Sequence, residues 1–133
     1  MITATGRRST TGSSPFEASF GFSRAVRVGD RILVSGTAPV EPDGSSTPGD
    51  AAAQTRRVFA IILAAIEELG GTAADVVRTR MFIADPADAA AIGAVHGAMF
   101  GKIRPAATMV VAQLLRPEWL VEIEAEAIVA SPA

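Results

Sequence analysis

Near its C-terminal end the chain reads Val121-Glu-Ile-Glu-Ala-Glu-Ala127, a strict alternation of apolar and acidic residues. A period of two is the signature of a strand with one buried face. Val121, Ile123, Ala125 and Ala127 must therefore meet a core, while Glu122, Glu124 and Glu126 stand on the opposite side. The chain needs a sheet with one apolar face and something apolar to lay against it. The pattern predicts this last strand over Trp119–Ala130.

The remaining segments supply both. Arg24–Val28 and Arg31–Thr37 flank Gly29-Asp30, a turn pair that supplies positive φ, and read as a hairpin. Pro39 to Gly49 is a loop. Asp50 is an N-cap for a helix whose Val58, Ile61, Ile62, Ala65, Ile66 and Leu69 recur at helical spacing, ended by Gly70-Gly71. Val76–Ala84 alternates as a strand, with Val77, Thr79, Met81 and Ile83 on one side and Val76, Arg78, Arg80 and Phe82 on the other. Asp85-Pro86 opens a second helix that runs to about Phe100, and Ala107–Gln113 forms a further strand. Residues 1–21, rich in Ser, Thr and Gly, read as an arm over the domain, with an edge strand near Ile2 to Arg8.

The expectation is one α+β domain of 133 residues, its core at 22–130, with strands and helices in the order ββ-α-β-α-ββ. One sheet with two helices packed on one face is the economical arrangement. It leaves the other face open. Phe82, Ala107, Met109 and Val111 are expected there, beside Arg78 and Arg80 paired with Glu124 and Glu126. Such a surface is too apolar for water and too charged for a core. It reads as a self-association face, or else as a solvated face whose ion pairs carry little energy.

Composition removes whole classes of chemistry. With no cysteine and no tyrosine, disulfides, thiolate metal sites and thiol or phenol catalysis are excluded, and a lone histidine excludes multi-histidine metal sites. No metal or cofactor is implied. A net charge of −2, with Lys102 the single lysine, gives no footprint for nucleic acid. The longest apolar run, Val58 to Ile66, is too short to span a bilayer, and Arg7 and Arg8 are followed by no apolar signal segment. The expected setting is cytoplasmic.

A few residues remain that carry chemistry. The three glutamates stand about 7 Å apart; one of them orients or activates a water, or all three neutralise arginines across the sheet. His96 on the second helix is an acid–base candidate or a packed helix residue. Arg104, ahead of Pro105, holds an anion in a cleft or lies in solvent. Ser35-Gly36 permits close backbone approach to a ligand, or serves to bend its strand.

In addition, Phe22-Ser-Arg-Ala-Val-Arg-Val-Gly29, Val34-Ser-Gly-Thr37, Ala74-Asp-Val-Val77, Phe82-Ile83, Arg104-Pro-Ala106 and Val121-Glu-Ile-Glu-Ala-Glu-Ala127 resemble, in order, segments of the Rid (YjgF, reactive-intermediate deaminase) family. The resemblance covers about residues 15–130. It implies a chorismate-mutase-like fold, a homotrimer and a small-molecule ligand held in clefts between subunits. It also implies hydrolysis of imines and enamines such as 2-aminoacrylate. The family's carboxylate-binding arginine falls on Ala107, its usual asparagine on Gly93 and its aromatic hydroxyl on Phe22; Ser35, Gly36 and Glu124 match, the last as the water-positioning glutamate. The chain thus resembles an arginine-lacking branch, in which 2-aminoacrylate deamination is not expected. Glu124 is the catalytic candidate; Phe22, Ser35, Gly36, Gly93, Arg104, Ala107 and Met109 are the ligand-binding ones. Arg104 or Arg24 stands as a substitute anchor. The readings are a hydrolase of a small C–N compound, a non-catalytic trimer that binds a metabolite, and an interaction protein.

Overall fold

In the computed structural model, which describes residues 6–130, the helix predicted after Asp50 is the organising element. The Asp50 side chain accepts from the Ala53 amide at 2.9 Å and starts a helix over Ala51–Glu68. Val58, Phe59, Ile62 and Ile66 are fully buried. Phe59 is outside the stripe read from the sequence, and it meets the Phe100 ring edge-on at 5.3 Å between centroids. The C-terminal carbonyl of Leu69 accepts from Arg27 at 2.7 Å, a cation placed where the helix dipole favours one.

In chain order the elements are β1 (Arg8–Thr10), α1 (Phe16–Phe20), β2 (Ala25–Val28), β3 (Arg31–Thr37), α2 (Ala51–Glu68), β4 (Val76–Ile83), α3 (Ala89–Phe100), β5 (Ala106–Val111) and β6 (Val121–Ile128). They form one sheet in the order β1-β2-β3-β6-β4-β5, antiparallel except for the parallel β4–β5 pair, which needs a crossover connection and has it in α3. α2 packs on β3 and β6, and α3 beside α2, so both long helices share one face. Ile32, Val34, Met81, Ile83, Val121, Ile123 and Ala125 point into that core.

Four expectations change. The arm is built rather than draped: Arg8–Thr10 extends the sheet beside β2, and Phe16–Phe20 is a short third helix. Of the strand expected at 2–8, residues 2–5 lie outside the described residues, and Gly6 and Arg7 precede the strand rather than join it. In β4, Val76 is buried and Val77 exposed, the reverse of simple alternation, because the register with β6 shifts between Val76 and Arg78. The second helix begins with a short 3-10 turn at Pro86–Asp88, Asp85 accepting from the Ala87 amide at 2.9 Å. Finally, the phase of β5 is opposite to expectation. Ala107, Met109 and Val111 pair with Thr79, Met81 and Ile83 of the core-facing row, and Met109 packs against the core. Ala106, Thr108 and Val110 take the open face, beside Arg78, Arg80 and Phe82.

Candidate functional site

Glu122, Glu124 and Glu126 are equivalent in sequence, but the strands beside them make them different. Arg80 faces Glu124 across β4–β6 and donates to its carboxylate at 2.9 Å, and Arg78 stands opposite Glu126. Glu122 stands opposite Phe82, with no cation across the ladder. On its other side the register of β3 shifts between Val34 and Thr37, and this irregularity brings Gly36 against it. A Cβ on Gly36 would lie 2.7 Å from Glu122 Oε2, so only glycine lets the carboxyl rest over the backbone there. Burial pushes the Glu122 carboxyl above the usual carboxylate range, and Glu124 adds to this, while Arg24 opposes it.

Glu122 and Gly36 form part of the wall of a cavity of about 130 Å³. Four aromatic rings line it as well, Phe16 and Phe20 of α1, Phe22, and Trp119 from the turn before β6, together with Arg24 and aliphatic side chains such as Ile61 and Leu115. Phe16 and Phe20 stack at 5.0 Å, one helical turn apart, and Arg116 lies over the Phe16 and Trp119 rings at 5.5 and 5.6 Å. The Trp119 indole N–H donates to Ser46 Oγ at 3.0 Å, and Gln54 bridges the Leu120 amide and the Glu118 carbonyl. This side of the cavity is therefore anchored to α2. Glu122 also borders a shallower cleft with Gly36, Phe82, Leu115 and Glu124, so it stands between the cavity and the open sheet face.

Arg24 is the cation of the site, 5% exposed. One of its terminal nitrogens, Nη2, donates to the Gly36 carbonyl, its plane lies over the Phe22 ring at 5.6 Å, and Nη1 is 3.7 Å from Glu17 Oε2. Its Nε–H is buried and has no partner among the described residues. Burial lowers its pKa, with Glu17 and Glu122 pulling the other way. Glu17, also buried, accepts the Gly12 amide at 2.9 and 3.1 Å.

The other candidates divide by position. Phe22 lines the cavity, and Ser35 lies beside it with its hydroxyl donating to the Ser23 carbonyl at 2.7 Å. Gly93, Ala107 and Met109 are elsewhere: β5 is two strands beyond β6, on the order of 10 Å, and Ala107 pairs on the helix side. A Cβ built on Gly93 would meet open space. One copy of the chain does not bring these three to Glu122. Arg104 is exposed, at φ 56°, and its amide bonds the Phe100 carbonyl at 2.8 Å, so it closes the turn after α3. His96 is packed: it is bonded to Thr79 Oγ1 at 2.8 Å and lies against the Phe59 and Phe100 rings, and desolvation lowers its pKa. Among the described residues, no group of three or more His, Cys, Asp or Glu could hold a metal ion, and no helix is long and apolar enough to cross a membrane. Glu17 and Trp119 had no site signal in the sequence, since their roles depend on how residues 12–20 fold back.

Comparison with known proteins agrees with this architecture. The family described as Endoribonuclease L-PSP matches residues 12–129. A protein of Streptomyces coelicolor is 38% identical over 127 residues, 95% of each chain, and a RutC family protein of Pyrococcus abyssi is 36% identical over 78% of this chain and 83% of its own. Among solved structures, a YjgF/YER057c/UK114 family member from Mycobacterium tuberculosis superposes with a TM-score of 0.85 at 43% identity, covering 92% of this chain and 99% of that one. The YjgF gene product of Escherichia coli gives 0.77 at 33% identity, covering 90% and 95%. The chain belongs to the endoribonuclease L-PSP family, also known as the YjgF or Rid family.

Proposed function

We propose that this member of the family hydrolyses a small imine, enamine or related C–N compound in a cleft completed by a second copy of the chain, and that Glu122, rather than Glu124, handles the proton and the water. The observation that carries this reading is the half-buried Glu122 carboxyl. It stands over Gly36 at the edge of an aromatic cavity and makes no hydrogen bond among the described residues, whereas Glu124 is engaged by Arg80. A carboxyl raised above its usual range can protonate the nitrogen of a C=N group and, once ionised, orient a water toward the carbon. Water adds across C=N to give a carbinolamine, which collapses to a carbonyl compound and ammonia. Assembly as a trimer would bring the Gly93, Ala107 and Met109 corner of one copy to the Phe22, Gly36 and Glu122 cavity of another, joining residues that a single copy keeps apart.

Ammonia release is the test, using imines generated in situ from leucine or phenylalanine by an amino-acid oxidase. Glu122→Gln should lower the enzyme-dependent rate by about a hundredfold, Glu124→Gln by much less. 2-Aminoacrylate, with no apolar body for the aromatic walls and no arginine at position 107, should turn over poorly. Wild-type rates equal to spontaneous hydrolysis for every imine tried would leave the second reading, a non-catalytic binding protein. Gly93 and Ala107 favour that reading, since neither brings a donor or a charge to the cleft.

A further inference from the structure

Beneath α1 the buried Arg24 guanidinium lies against the buried Glu17 carboxylate, and the half-buried Glu122 carboxyl shares the same cavity wall. The guanidinium is poorly used. At 3.7 Å the Glu17 contact is an ion pair without a hydrogen bond, well beyond the 2.7–2.9 Å of a charge-assisted one. Among the described residues Nε–H has no partner, and Nη2 alone donates a hydrogen bond, to the Gly36 carbonyl. A buried donor left unpaired is costly, so the arrangement is complete only when an acceptor reaches Arg24. Glu17 is not locked onto Arg24, since it sits on a five-residue helix and its oxygens accept the Gly12 amide rather than a guanidinium N–H.

Resting on the cavity reading above, we propose that Arg24 is the anion anchor of this site, that its ligand is a small monocarboxylate with an apolar or aromatic body, and that the ligand enters by displacing the Glu17 carboxylate. Charge balance decides for exchange. The Glu17 carboxylate already balances the Arg24 charge, so a further anion beside it would be unmatched, whereas replacing Glu17 by a ligand carboxylate leaves the count unchanged. The ligand carboxylate can take the planar fork that Glu17 does not fill. The body of the ligand then lies among Phe16, Phe20, Phe22 and Trp119, in a space close to the roughly 150 Å³ that accepts a benzene ring elsewhere. Arg24 would thus supply from β2's leading edge the charge that Ala107 lacks on β5, and Glu17 acts as a built-in competitor.

Trp119 is the single tryptophan and lines the cavity, so its fluorescence reports occupancy. The experiment titrates benzoate and its neutral counterpart benzamide into wild type, Glu17→Gln and Arg24→Lys. Benzoate should bind at least about tenfold tighter than benzamide in the wild type. Glu17→Gln, which keeps the shape and removes the competitor, should tighten benzoate severalfold and leave benzamide unchanged. Arg24→Lys should erase the preference. A pair that merely props up α1 predicts the opposite for Glu17→Gln, weaker binding of both ligands. Equal binding of benzoate and benzamide to wild type overturns the anchor and leaves the cavity a ligand site. If neither binds at any concentration, the anchor is overturned. Ammonia release that persists and depends on Glu122 would then still uphold the hydrolase reading, and its absence as well would remove both.

Discussion

The Arg80–Glu124 pair measures whether the open sheet face is covered when the protein is assembled. In the single copy the two side chains are 41% and 35% exposed, with the ions 2.9 Å apart. Solvent screening at that exposure limits such a pair to about 0.2–1 kcal/mol. The surrounding surface is not that of a solvated sheet, however. Leu33, Val28, Val110 and Ile128 are 40%, 51%, 43% and 46% exposed, and by their pairing all four flank the arginine–glutamate rows. If other copies cover this face, the pair becomes buried, and truncating one partner strands a charge at a cost of about 3–5 kcal/mol. Replacing both partners should then recover most of the loss. We expect the buried regime. Chemical denaturation of wild type, Arg80→Ala, Glu124→Ala and the double variant, at several protein concentrations, gives the coupling energy, and light scattering gives the mass. Single-variant losses below about 1 kcal/mol, with a melting temperature independent of protein concentration, would refute the covered face and with it the shared cleft.

Three further outcomes follow from the site and the core. Glu122 has its folded pKa raised by burial, so its ionisation opposes folding as pH climbs above the ordinary carboxylate value; Glu122→Gln should match wild type in acid and be the more stable at neutral pH by urea denaturation, and a variant less stable at neutral pH would contradict this. His96 has its pKa lowered by desolvation, so stability should fall as pH drops below the ordinary imidazole value; His96→Gln should flatten that part of the thermal-melt profile, and an unchanged slope would show that the ring is not held neutral. Arg104 adopts left-handed backbone at φ 56°, a conformation that costs a side chain about 1 kcal/mol and glycine none; Arg104→Gly should therefore melt at the same or a higher temperature, with ligand affinity retained, and a loss of affinity would make Arg104 a ligand contact.

What could be read in advance was local. The Asp50 cap, the α2 stripe, the Gly29-Asp30 turn and the alternation of β6 are encoded within a few residues of themselves, and they appear where expected. The phase of β5 is not local. It is set by parallel pairing with β4, so Met109 turned inward although its own segment gave no sign of which face it would choose. Val76 and Val77 exchanged roles for a similar reason, a register shift imposed by β6. Among three identical residues on one strand, Glu122 could not be distinguished until Phe82 and Gly36 were known to flank it and Arg80 was known to take Glu124. Arg24 was one of two candidate substitute anchors, with nothing in its own segment to separate it from Arg104. That it would be buried, and met by Glu17, depends on residues 12–20 folding over it.

The irregularity in β3 has an evolutionary consequence. Val34 and Thr37 keep their places in the interior on either side of it, while Ser35 and Gly36 lie outside the regular ladder. On the proposed reading, ligand preference can therefore drift by exchanging residues on the short helix above this kink, with Gly36 kept under Glu122, and the interior need not be rebuilt each time. A cavity walled by a short surface helix can change shape in few mutational steps, each of them tolerable to the folded chain.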